Sequence, residues 1–214
     1  MKNKFYLILA LASSILTACQ DENINPPKKM EIDKKIDKEV EKEKKIQIKE
    51  VQIREEPPKE YTYFFENLEK KSTEIHVKED IYEFTNIKQP IVMVNLFATW
   101  CPPCRGQIPH LSNLQKKFKK NLFILSAVVN DDIDNEKLER FIIAQKVKFF
   151  ISNNQEENLK FAYMITPKLG LKKEFPLPLM ILFVNGKYFT HYEGIMPEEM
   201  IESDIKQLLK KIKK

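Results

Sequence analysis

An α/β fold, with a central mixed sheet and helices on both of its faces, is predicted by three features of this sequence. Ile91 to Phe97 and Leu122 to Val129 are almost unbroken apolar runs, the pattern of strands buried on both faces. Between them Leu111, Leu114 and Phe118 recur at helical spacing amid Lys and Gln, which makes a strand–helix–strand unit. Further on, the apolar run Leu179 to Val184 meets Asn185-Gly186, a two-residue turn signal, and Lys187 to Tyr192 returns as the second strand of a hairpin.

The remaining elements follow in order. Tyr61 to Phe65 and Thr73 to Val77 are aromatic and β-branched around a polar turn, and predict a hairpin at the start of the globular part. Asp134 or Asn135 is placed to cap a helix carrying Leu138, Phe141, Ile142 and Val147, and Phe149 to Ile151 predicts a short strand. Within 153–171 only a short helix is expected, around Leu159 to Met164 and ending at Pro167. Pro197-Glu198-Glu199 opens a last helix with Ile201, Ile205, Leu208, Leu209 and Ile212 on one face and Lys on the other. No internal repeat is present, and 214 residues suit one ordinary domain with some additional chain. The charge, 36 Lys+Arg against 31 Asp+Glu, lacks the concentrated basic excess of a nucleic-acid binder, so no nucleic-acid partner is expected.

The additional chain lies at the N-terminus. A basic head, Met1-Lys2-Asn3-Lys4, precedes an apolar run from Phe5 to Leu16, the layout of a secretory signal. The run is shorter than the roughly twenty residues a membrane-spanning helix requires. It ends in Leu16-Thr17-Ala18-Cys19, which resembles the lipobox of bacterial lipoproteins, where the residue after the cut is a cysteine acylated on sulfur. That resemblance implies a signal peptide over 1–18 and a lipid anchor on Cys19, two or three acyl chains being enough for stable membrane attachment. Residues 19–60 are dominated by Lys and Glu, with Pro26-Pro27 and Pro57-Pro58 near the two ends. Ile32, Ile36 and Val40 at four-residue spacing allow a helix or coiled coil, but the row is not continued. A partly helical, mostly solvated tether is the favoured reading. The globular domain then occupies 61–214. With Cys19 assigned to lipid, Cys101 and Cys104 are the remaining cysteines, free to pair with each other or with a partner protein.

Trp100-Cys101-Pro102-Pro103-Cys104-Arg105 sits where a buried strand turns into a helix. A helix N-terminus presents unpaired N–H groups and a partial positive charge, which favour a thiolate on Cys101. Proline is tolerated there because the first turn does not use its missing donor. Cys101 is expected to be the exposed attacking sulfur, and Cys104, one turn further in, the one that resolves a mixed disulfide. Trp100 is expected to shield one flank of the sulfur.

The segment Val94 to Arg105, followed by Pro109, resembles the active-site stretch of the thioredoxin superfamily, in particular its membrane-tethered TlpA/ResA-like thiol–disulfide oxidoreductases. Pro178, a six-residue apolar strand and Asn185-Gly186-Lys187 are similar to that superfamily's cis-proline strand and hairpin. The resemblance covers about Tyr61 to the C-terminus. It implies a thioredoxin-like three-layer sandwich with an N-terminal hairpin extension and one inserted strand–helix unit. It also implies a cis Leu177–Pro178 bond whose backbone faces the cysteines and docks the partner's chain. The implied activity is disulfide exchange with envelope proteins on the periplasmic side of a bacterial membrane, more as reductant than oxidant. Implied partners are proteins with cysteine pairs, such as an apocytochrome c or a copper-site protein, and a membrane-bound electron donor. No cofactor and no resident metal are implied.

Three departures from that pattern stand out. Asn95 stands where thioredoxins have a buried Asp, an Asn that many TlpA/ResA-like proteins share, and Gln107 stands where those proteins often carry Glu, so neither usual carboxylate is available to activate Cys104. Leu177 replaces the Thr or Ile common before the cis-proline. Two readings compete with exchange: a structural Cys101–Cys104 bridge, disfavoured because it closes so short a loop, and Cu(I) binding by the two soft thiolates without turnover. His76, His110 and His191 fall on separate elements and complete no tetrahedral site. Of these, His110, on the motif's own helix, is the one positioned to influence it.

Overall fold

The structure is a computed structural model, and it describes residues 60–172 and 174–212. The predicted signal peptide, Cys19 and all of the tether except Glu60 lie outside the described residues.

The described chain runs β1 (Glu60–Glu66), β2 (Ser72–Lys78), β3 (Ile81–Phe84), β4 (Ile91–Phe97) and α1 (Pro102–Lys117). It continues with β5 (Leu122–Val128), α2 (Asn135–Ala144), β6 (Phe150–Ser152) and α3 (Gln155–Lys168), and ends with β7 (Leu179–Val184), β8 (Lys187–Glu193) and α4 (Glu198–Ile212). All eight strands form one sheet in the order β1-β2-β3-β8-β7-β4-β5-β6. β4, β5 and β6 are parallel, and β7 joins β4 antiparallel with Asn95 opposite Met180.

Alternation along β4 sorts its side chains into two layers. Ile91 and Met93 pack with Leu111 and Leu114 of α1 and with Ile201, Ile205 and Leu208 of α4. Val92, Val94 and Leu96 face the opposite layer, with Phe161, Ala162 and Ile165 of α3 and with Phe65, Ile75 and Val77 of the N-terminal hairpin. Both faces are therefore covered, which is why the strand reads as continuously apolar. Each buried Leu, Ile, Val or Phe side chain here gains about 1.5–3 kcal/mol relative to exposure. Phe161 joins the hairpin to the sheet through edge contacts with Tyr63 and Phe65, at ring separations of 5.4 and 5.6 Å.

The predicted three-layer sandwich is present, with differences in detail. β3 was not foreseen, because four residues with one buried side chain carry little pattern. α2 is capped by Asp134, whose carboxylate accepts the Lys137 N–H, but it ends before Val147. α3 extends well beyond the short helix expected, starting on an Asn154 cap and running through Pro167. Pro167 falls in the last turn, and just beyond it the chain closes through Leu169 N–H bonds to the carbonyls of Ile165, Thr166 and Pro167. Asn185 and Gly186, with φ of 48° and 75°, form the predicted turn. Among the described residues no helix is long and apolar enough to cross a membrane.

Candidate active site

β4 ends at Phe97, and the chain passes through Ala98, Thr99 and Trp100 to Cys101, the cap of α1. The Cys101 sulfur accepts the Cys104 N–H at 3.4 Å, occupying one of the donors that every helix start leaves unpaired. The two sulfurs face each other at 2.6 Å, as free thiols. Pro102 and Pro103 occupy the first helical positions, as the motif predicted. Leu177–Pro178 is cis, and the Leu177 carbonyl lies 3.7 Å from the Cys101 sulfur. The two motifs, separated widely in sequence, thus meet because β7 lies beside β4.

One expectation is corrected. Cys101 is buried, at 5% exposure, because it packs with Phe97, Ala98, Cys104, Val128, Leu138 and Ile151, with Leu177 against that cluster. Its sulfur is reached through a cleft of about 600 Å³ lined by Trp100, Pro102, Pro103, Asn130, Tyr163, Glu174, Phe175 and Leu177. Trp100 is 57% exposed, and its indole N–H donates to the Asn130 carbonyl at 2.9 Å, which fixes the ring at the cleft's rim.

Cys104 lies deeper. Its thiol is held well above the ordinary range, first by burial and second by its hydrogen bond to Cys101. The side chains in the departing positions do not oppose this. Gln107 is buried one turn along α1, its Oε1 accepting the Met196 N–H at 2.8 Å, and its Nε2 finds no partner among the described residues. Asn95, also buried, donates to Ser126 at 2.9 Å and leaves its own oxygen without a partner there. The His110 Nδ1 lies 3.6 Å from a Glu198 oxygen at the seam with α4.

A family model matches residues 66–187, from the end of β1 to the start of β8 and across both motifs, and its description is the AhpC/TSA family. The chain belongs to the AhpC/TSA family. Among its AhpC/TSA-like relatives is the thiol–disulfide oxidoreductase ResA of Bacillus thuringiensis subsp. konkukian, 24% identical over 127 residues, covering 59% of this chain and 68% of the relative. ResA of Bacillus subtilis is 28% identical over 129 residues, covering 60% of this chain and 66% of the relative. The fold is shared with a thiol:disulfide interchange protein of the thioredoxin family from Chlorobium tepidum. That structure has a TM-score of 0.53 at 18% identity and covers 72% of this chain and 97% of its own. The enzyme class of this AhpC/TSA member is thiol–disulfide oxidoreductase.

Several residues at the site were not singled out from the sequence: Asn130 and Asp131 after β5, Tyr163 on α3, Glu174 and Phe175 before the cis-proline, and Met196 after β8. For Asn130 and Asp131 a signal existed. In an open α/β sheet, ligand-facing groups gather at the carboxyl ends of parallel strands, and β5 ends beside β4, with Val128 opposite Phe97.

Proposed function

We propose that this protein reduces disulfides of partner proteins in the bacterial cell envelope, with Cys101 attacking and Cys104 resolving. The observation that carries the reading is the placement of Cys101 at a helix N-terminus, on the floor of a cleft and against the Leu177 carbonyl.

The chemistry follows from that placement. The Cys101 thiolate attacks one sulfur of a client disulfide, the client S–S bond breaks, and the client's other sulfur leaves as a thiolate that takes up a proton. Cys104 then loses its proton and attacks Cys101, forming the intramolecular disulfide and releasing the second client thiol. Two electrons have passed to the client, and a membrane-bound donor would restore the dithiol. Because Cys101 is buried, a client must present its cysteine on an extended segment that enters the cleft. The segment's neighbouring side chains would then meet Trp100, Tyr163, Phe175 and Leu177. The reducing direction rests on the likeness of 94–105 to TlpA/ResA-like proteins. Envelope location rests on the lipobox-like 16–19, which would make Cys19 the anchor and the charged residues up to Glu60 a spacer.

The test is the reduction potential of the Cys101–Cys104 couple in the full chain, equilibrated with glutathione or dithiothreitol buffers. A value near the thioredoxin end, about −270 mV or lower, supports a reductase, and one near the DsbA end, about −120 mV, makes the protein an oxidant. A pair that never cycles would leave a structural bridge or Cu(I) binding. In cells, Cys104→Ser should accumulate mixed disulfides that Cys101→Ser does not. Fatty-acid labelling that persists in Cys19→Ala would refute the anchor.

A further inference from the structure

The turn that carries Cys101 is held by two opposite charges from outside the cysteine motif's core. The Asp131 carboxylate accepts two hydrogen bonds through one oxygen, from the Thr99 N–H at 2.5 Å and from the Thr99 hydroxyl at 2.7 Å. On the other side of the same residue, the Arg105 Nε–H donates to the Thr99 carbonyl at 2.6 Å. The next residue, Trp100, is tied by its indole to the carbonyl of Asn130, the neighbour of Asp131. Asn130 takes a left-handed φ of 52°, so the chain after β5 bends sharply into this position.

We propose that Asp131 and Arg105 are positioning residues that set the electron-giving tendency of the Cys101–Cys104 pair, Asp131 pushing it toward donation and Arg105 opposing. This inference rests on the reading of Cys101 as the attacking sulfur. Thr99 precedes Cys101 by two residues, so their Cα atoms are at most about 7.6 Å apart. The Cys101 N–H also closes this turn on the Ala98 carbonyl at 3.3 Å, which keeps Thr99 and the carboxylate bonded to it close to Cys101, in a part-buried setting that salt screens less than open surface. The carboxylate's negative charge disfavours the thiolate. A dithiol whose thiolate is disfavoured is the less stable partner of the couple, and such a couple gives electrons more readily; the strong oxidant DsbA illustrates the converse. The Arg105 charge acts on the same turn with the opposite sign. The two hydrogen bonds from Thr99 also hold the turn, so the charge stays in place relative to the sulfur.

The experiment equilibrates the full chain with glutathione. Two glutathiones and the protein disulfide stand against one glutathione disulfide and the dithiol, and the pH dependence of Cys101 alkylation is measured in parallel. Asp131→Asn keeps an acceptor for Thr99 and removes the charge. It should shift the equilibrium toward the dithiol about tenfold, about 30 mV for this two-electron couple, and move half-maximal alkylation to lower pH. Arg105→Gln should move both readouts the opposite way, a reversal of sign that mere loosening of the turn would not produce. Asp131→Glu, which keeps the charge, should stay near the parent. The inference is overturned if Asp131→Asn and Arg105→Gln both lie within twofold of the parent, or shift in the same direction. Should Asp131→Asn fail to fold, an unshifted Arg105→Gln alone overturns it. A parent that does not exchange with glutathione overturns the redox reading itself, and this inference with it.

Discussion

Replacing Gln107 with glutamate puts a carboxyl group one helical turn from Cys104 on the buried face of α1, where side chains three residues apart are neighbours. The change is nearly isosteric. One carboxyl oxygen keeps the Met196 N–H bond, and the other replaces an amide nitrogen that has no partner among the described residues. An unsatisfied buried polar group costs about 1–3 kcal/mol, so in its protonated form the glutamate should cost little or nothing in stability. Ionised, it is penalised by burial, which raises its pKa from the ordinary value near 4.3 toward neutrality. That makes it a base suited to removing the proton that burial and Cys101 hold on Cys104. A positioned general base contributes typically about 10²–10⁴-fold, and the lower end applies to a group that must itself be desolvated. Resolution of a Cys101–glutathione mixed disulfide, followed by stopped-flow release of glutathione, should therefore accelerate by about a hundredfold at pH 7–8. Its pH profile should gain an inflection at the new carboxyl's pKa. An unchanged rate with an unchanged profile in a folded variant would show that proton removal from Cys104 does not limit resolution.

The reduced protein should lose stability at alkaline pH. The folded state holds the Cys104 proton above its ordinary value near 8.5, so above that pH the unfolded chain binds fewer protons and stability falls as pH rises. The contribution is complete below about pH 8.5, and its loss approaches about 1.4 kcal/mol per pH unit. Urea titrations from pH 8 to 10 check it, since Cys104→Ser should lack this decline. Gly186→Ala should cost about 2 kcal/mol or more. The added Cβ would lie 2.8 Å from the Tyr82 carbonyl oxygen at a φ of 75°, at the seam where Tyr82 N–H meets the Gly186 carbonyl. A loss under about 1 kcal/mol would mean that the turn relaxes. Phe161→Ala should cost about 3–5 kcal/mol and speed amide exchange in β1, because Phe161 is fully buried against Tyr63 and Phe65. A cost under about 2 kcal/mol would show that the hairpin is held by other contacts.

Much of the molecule was legible in its residues. Ile91 to Phe97, Leu179 to Val184 and the Asn185-Gly186 turn fall where the pattern put them, because burial on two faces and a left-handed turn each demand particular side chains locally. The junction that holds Cys101 and Cys104, the pair proposed to carry the redox chemistry, was legible for the same reason: cysteines and prolines at a strand-to-helix junction stand in adjacent positions. Less was readable where contacts are few or distant. β3 is short and joins β8 through a single residue pair, Ile81 with Lys187. α3 outran its pattern because its buried Asn158 hides in an apolar count while bonding the carbonyls of Val128 and Ser152.

The sequence alone determined the fold class and the position of the cysteine pair at a strand-to-helix junction, and its resemblance to the thioredoxin superfamily supplied the expectation that Pro178 would stand beside that pair. Only the tertiary structure decided that Cys101 is buried, since its cover comes from Val128, Leu138, Ile151 and Leu177, on four other segments. It likewise decided that Asp131 grips the turn leading to Cys101. Periodicity reports which face of an element is apolar, whereas the partner that face or charge meets depends on which strands lie side by side.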